Sequence, residues 1–280
     1  MDSKTLAAAI NAAINELLKK GSAPAIIKSW RDELERVLDE AATSPTDASD
    51  TVQRYHQNYL DRIIEVRGLP MHSIVSSDDK QATAITGFGM GGKFELLLPR
   101  IRRAFDSCIN DAKVQAGQFR QRELLAALNT FEQWARSIPL GGTKEKSFRD
   151  EARSVRQILK SFSKWDKYYF YAKRSNFRNE INRIIAESNG AIAARWRFYD
   201  CEEPMHKERD KKVYLIRGNW AIEKGFIDDH EAKFTDDLPL PGNDGCMCSY
   251  CYLSHVGNLP AELLTPKGKN AKKEIENKHA

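Results

Sequence analysis

Up to residue 190 the chain repeats apolar side chains at three- and four-residue steps, and beyond it the text breaks into short β-branched and aromatic runs separated by prolines and glycines. A three-to-four period gives one apolar stripe on a helix, whereas short runs of the second kind suit strands. The change of period therefore predicts a mainly α N-terminal region, residues 1–190, followed by a small α+β domain, residues 191–265. Four of the five cysteines fall in that smaller domain. The remaining stretch, 266–280, carries five lysines against two glutamates and little apolar surface, and reads as a mobile basic tail.

Within the first region the periodicity predicts helices over 5–20, 24–42, 48–66, 93–116 and 119–137. Turn chemistry at Ser44-Pro45-Thr46-Asp47 and Arg67-Gly68-Leu69-Pro70 separates the early ones, and Pro139 with Gly141-Gly142 stops the last. Phe148, Ala152, Val155, Leu159, Phe162 and Tyr169 then step by fours and threes, a heptad-like seam on one long helix with Asp166 at the skipped position. The aromatic run from Trp165 to Tyr171 stands at helical spacing, so core or subunit interface is preferred to a base-stacking platform. A further helix, 176–188, ends at Asn189-Gly190, a pair suited to a left-handed C-cap. ARWRFYD and KKVYLIRG read as strands.

An apolar fraction of 41% over 280 residues is enough for a proper core, and no apolar run approaches the length of a membrane span. The alanine-rich start carries Asp2 and Glu16 and lacks a basic leader, so it reads as an amphipathic helix rather than a targeting segment. An odd number of cysteines, with no signal peptide ahead of them, points to a reducing compartment with thiols or metal.

The net charge of +5 is unevenly placed. Between residues 143 and 183 stand twelve Lys and Arg against five acids, an excess larger than that of the whole chain. The members that could meet nucleic-acid phosphate or an acidic protein are Lys144, Lys146, Arg149, Arg153, Arg156, Lys160, Lys164, Lys167, Lys173 and Arg174. The competing reading is a solvated helix face rich in lysine.

Gly87, Gly89 and Gly92 in GFGMGGK match a dinucleotide fingerprint and most of a phosphate-binding loop. Both need a preceding buried strand, and the second needs a hydroxyl where Phe94 stands. A hinge before the next helix is the better reading.

Cysteine and histidine spacing carries the remaining chemistry. Cys248-x-x-Cys251 has the spacing of a zinc knuckle, and Cys201 with His206 forms a second short pair. A site of Cys201, His206, Cys248 and Cys251, with Cys246 or His255 as substitutes, would tie the two ends of a small domain together around Zn2+. Reduced buried thiols and disulfides compete with this reading. Nothing singles out a nucleophile and base, so no catalytic residue is assigned and the chain is read as a non-enzyme.

The order of these C-terminal residues resembles the phage head-morphogenesis domain of the Mu minor head protein type. Trp196, Asp200, Cys201 and His206 match its tryptophan strand and the following Asp and Cys/His; Pro241, Gly242, Cys246 and Cys248 match its closing loop and C-R-C element. Met247 replaces the arginine, and a long segment, IRGNWAIEKGFIDDHEAKF, is inserted after His206. The resemblance covers about the last quarter of the chain. It implies a minor capsid protein, assembled into the virion in the host cytoplasm, that contacts portal or major capsid subunits and packaged DNA. The alternative is a zinc-stabilised nucleic-acid-binding protein of the bacterial cell.

Overall fold

The computed structural model describes residues 3–67, 93–199, 201, 203–241 and 246–279. The glycine cluster Gly87, Gly89 and Gly92, together with Asp200 and Gly242, lies outside them. Among the described residues six helices come first: α1 (Ser3–Lys20), α2 (Pro24–Ala41), α3 (Pro45–Val66), α4 (Lys93–Ser137), α5 (Lys146–Phe162) and α6 (Trp165–Ser188). A small sheet region follows, with β1 (Ala193–Arg197), α7 (Pro204–Glu208), β2 (Val213–Leu215), α8 (Trp220–Glu223), β3 (Ser249–Leu253) and α9 (Pro266–His279). The mainly helical N-terminal part and the small Cys/His-containing α+β part thus follow the sequence period. Among the described residues no helix is long and apolar enough to cross a membrane.

Three boundaries differ from expectation. The helices predicted over 93–116 and 119–137 are one, α4, because Gly117 weakens a helix without ending it and no capping residue or proline follows. The seam from Phe148 to Tyr169 is divided between α5 and α6: the chain turns at Ser163 and Lys164, and the aromatic run opens α6 instead of leading up to a later helix. The stretch 266–280, expected to be a mobile tail, forms α9 through His279. Thr265 caps it, its hydroxyl accepting from the Gly268 amide at 3.1 Å, with Pro266 in the first turn. Gly268 lies so near the Phe226 carbonyl that a Cβ there would sit 2.0 Å from the oxygen, and the Lys267 and Lys272 ammonium groups donate to the Lys224 and Leu259 carbonyls at 2.8 Å, so this polar helix docks by close backbone approach and lysine hydrogen bonds.

Two compact units divide the chain, and the division does not fall at residue 190. The first is built from residues 1–51 and 111–170, the second from 52–110 and 171–280, and α3, α4 and α6 contribute to both. In the first unit α1 packs on α2 and α5. Its buried stripe, Leu6, Ile10, Ala13, Ile14 and Leu17, follows the helical period. Trp165 and Tyr169 are buried here, so the aromatic run serves the core, while Tyr168 and Tyr171 remain exposed.

In the second unit Tyr59, Leu60 and Ile63 of α3, Phe94 and Ile101 of α4, and Phe177, Ile181, Ile184 and Ile185 of α6 form one apolar cluster. Helix α6 ends as expected. Gly190 adopts φ +79°, its amide donates to the Glu187 carbonyl, and the Ala191 amide donates to that of Ala186, a Schellman closure. The chain then enters β1, the central strand of an antiparallel sheet ordered β2-β1-β3. Ala194, Trp196, Tyr214, Tyr250 and Tyr252 share one sheet face; Ala193, Leu215 and Leu253 share the other. The long inserted segment covers this second face with Trp220, Ile222, Phe226 and Phe234.

Candidate metal centre

Strand register assembles the site. Arg197 of β1 pairs with Ser249 of β3, so the residues leaving β1 run beside those entering β3. Cys248, one position before Ser249, therefore lies against Tyr199, with its thiol 3.8 Å from the Tyr199 carbonyl. Two residues beyond Tyr199, Cys201 brings its sulfur to 3.8 Å from Cys248 Sγ. Helix α7, with Pro204 in its first turn, then turns the chain back and buries His206 against the Trp196 ring, centroids 5.1 Å apart. The Nδ1 atom of His206 faces Cys201 Sγ at 3.3 Å.

Cys201, His206, Cys246 and Cys248 converge: one donor atom from each lies within 4.8 Å of all the others, close enough to hold a metal ion. Cys246, Cys248 and His206 are buried and Cys201 is half-buried. None of the five cysteines forms a disulfide. Burial pushes the Cys248 thiol up to about 12, with the neighbouring Cys246 and Cys201 adding to the rise, and burial raises Cys201 as well. Held out of water, Cys201 and Cys248 resist ionising; a dication among the cluster would reverse that balance.

Cys251 and His255 do not join the cluster. SYCYL is a strand, and its side chains alternate between the two faces. Tyr250 and Tyr252 lie on the face of the cysteine cluster, which sends Cys251, paired with Arg195, to the opposite side. His255 is exposed beyond the strand end. The knuckle spacing therefore names the wrong partner for Cys248, and Cys246, a substitute on spacing alone, takes the fourth place. Met247 between them is exposed.

One supporting residue gives no sequence signal, since an asparagine inside a helix is equally at home on a solvated face. Asn179 of α6 is 4% exposed, and its amide nitrogen donates to the Pro241 carbonyl at 2.8 Å and to that of Cys248 at 2.9 Å. Both amide hydrogens are thus used to hold the ends of the loop that carries Cys246. Asn179→Asp places carboxylate oxygens against two carbonyls and is expected to cost about 2 to 3 kcal/mol, read as a lower urea midpoint. An unchanged midpoint would show that the clamp is dispensable.

The ten basic residues singled out by sequence are divided between the two units. Lys144, Lys146, Arg149, Arg153, Arg156, Lys160, Lys164 and Lys167 belong to the first unit, whereas Lys173 and Arg174 belong to the second. The Arg174 guanidinium there stands over the Tyr55 ring at 5.3 Å. Neither a protein-family model, a curated protein nor a solved structure matches this chain.

Proposed function

We propose that Cys201, His206, Cys246 and Cys248 hold a structural zinc ion, and that the chain is a minor structural and assembly protein of a tailed-phage head. Its metal-stapled domain is the unit that docks on portal or major capsid subunits. The observation that carries this reading is a coincidence of two sets. Trp196, Cys201, His206, Cys246 and Cys248, which bear the family resemblance, are the residues that meet at the cluster.

Zinc geometry supports the metal assignment. Tetrahedral ligands at about 2.3 Å for sulfur and 2.0–2.1 Å for nitrogen stand about 3.8 Å apart for S–S and about 3.5 Å for S–N. The cluster has one S–S edge of 3.8 Å and one S–N edge of 3.3 Å. Four protein ligands complete a tetrahedron without an open position, the arrangement of a structural site. The ion would cross-link the loop after β1 to the loop before β3, which a small three-stranded sheet benefits from.

The test is composition of particles. Heads purified from cells producing the phage that encodes this chain are expected to contain it together with portal and major capsid protein. Its absence from mature and immature heads alike overturns the assembly role. Salt-sensitive co-purification with nucleic acid from the host cell in that event favours the zinc-stabilised nucleic-acid-binding alternative.

A further inference from the structure

We infer that the groove between α1 and α5 binds a phosphate-bearing ligand through Lys19, Lys144, Arg149, Arg153 and Arg156. The groove has a volume of about 710 Å³ and is lined by α1, the loop from Gly141 to Lys144, and α5. It lies in the first unit, outside the metal domain, and does not rest on the head-assembly reading.

Its floor is a rigid meeting of backbones. The Thr143 amide donates to the Leu18 carbonyl at 2.8 Å. Gly142, at φ +80°, stands where a Cβ would lie 2.6 Å from the Leu18 and Lys19 carbonyl oxygens. Only glycine fits, and this close approach holds Lys144 beside Lys19 although 124 positions separate them in sequence. Arg149, Arg153 and Arg156 enter from α5 at steps of four and three, on the flank of its buried stripe Ala152, Val155 and Leu159.

Charge balance marks this groove off from the rest of the unit. Every arginine of the unit outside it has a carboxylate partner: Arg31 and Arg136 share Glu132, Arg36 takes Glu33 and Glu40, Arg120 takes Asp39, and Arg122 takes Glu123. Among the described residues no carboxylate lines the groove. Arg153 meets Asp150 at its exposed edge, and Arg156 donates to the neutral Asn11 amide oxygen at 2.8 Å. No carboxylate of the described residues comes within ion-pair reach of Lys19, Lys144 or Arg149. Like charges gathered round one hollow repel each other, and a polyanion entering it relieves that repulsion. Lys160 continues the row one step along α5, which favours a nucleic-acid backbone over a single free polyphosphate as the source of the phosphate.

The experiment measures binding of the full chain to a fluorescent duplex DNA and, separately, to inorganic triphosphate, between about 50 mM and 200 mM salt. The double variant R149A/R153A is expected to weaken duplex binding at least about tenfold and to flatten the salt slope by about 2, close to one for each cation withdrawn from the phosphates. Both side chains are exposed, and an unchanged helical spectrum and melting temperature confirm the fold. The control K4A/K113A removes two exposed lysines of the same unit outside the groove and is expected to retain affinity. Variant-sensitive triphosphate binding without duplex binding assigns the groove to free polyphosphate. Binding of neither ligand, or equal weakening in control and variant, overturns the site.

Discussion

Cys248→Ser is expected to strip the chain of zinc and to unfold its C-terminal sheet at lower temperature. Changing only the groups behind metal ligands costs about ten- to a hundredfold in affinity, so loss of a buried thiolate ligand is expected to cost at least about a hundredfold. By linkage, each hundredfold lost from a saturated site removes about 2.7 kcal/mol of stability. Zinc per chain, measured by plasma mass spectrometry after purification under reducing conditions, is expected near one for the native sequence and far below it for the variant. A chelator is expected to bring the native protein down to the melting temperature of C248S and to leave C248S itself unmoved. Cys251→Ser separates the knuckle spacing from the observed cluster, because Cys251 lies on the other face of β3 and its replacement leaves zinc content unchanged. Equal melting of native protein and C248S, with and without chelator, refutes the metal staple.

Acid is expected to weaken the second unit through His56. This residue is 1% exposed, its ring stacks on Phe177 at a centroid distance of 4.1 Å, and Nε2 lies 3.2 Å from the Lys173 carbonyl. A carbonyl only accepts, so Nε2 carries the proton, and Nδ1 is left buried without a partner. Protonating Nδ1 would bury a cation with nothing to receive it. Burial accordingly lowers the histidine from 6.5 to about 4, and the nearby Lys173 ammonium adds to the effect. The folded state thus binds this proton less readily than the unfolded chain. Stability is full above about pH 6.5 and declines as pH falls toward 4, by about 3 kcal/mol in all. Urea midpoints at stepped pH are expected to show that slope in the native protein, and His56→Gln, which keeps a donor for the Lys173 carbonyl but cannot ionise, to remove it. Superimposable pH profiles for the two proteins would rule out the assignment.

What the residues reveal on their own follows from how far each signal reaches along the chain. Helical period, the Asn189-Gly190 cap and the strands around Trp196 and Tyr214 are legible because each depends on neighbours within one turn or one pleat. The same locality explains the errors. Gly117 reads as a break because a weak helix former resembles a stop, and Ser163-Lys164 reads as mid-helix because the apolar steps continue across the turn. The α9 helix is legible in principle, since Thr265-Pro266 is a cap and first turn, but its polar composition suggests a tail.

The candidate site divides in the same way. That cysteines and a histidine near the C-terminus could share a metal is plain from residue type and spacing, and Cys201, His206 and Cys248 belong to the expected set. The choice of Cys246 over Cys251 is settled by β3, whose alternation sends Cys251 to the opposite face. Asn179 meets the loop that carries Cys246 from more than sixty residues away, and Lys19 joins Arg149 across a groove made by Gly142. Composition determined that these residues were available, and period determined which way most of them face. Which of them touch was decided by strand register and by close backbone approach, which join segments far apart in the chain and leave no local period to read.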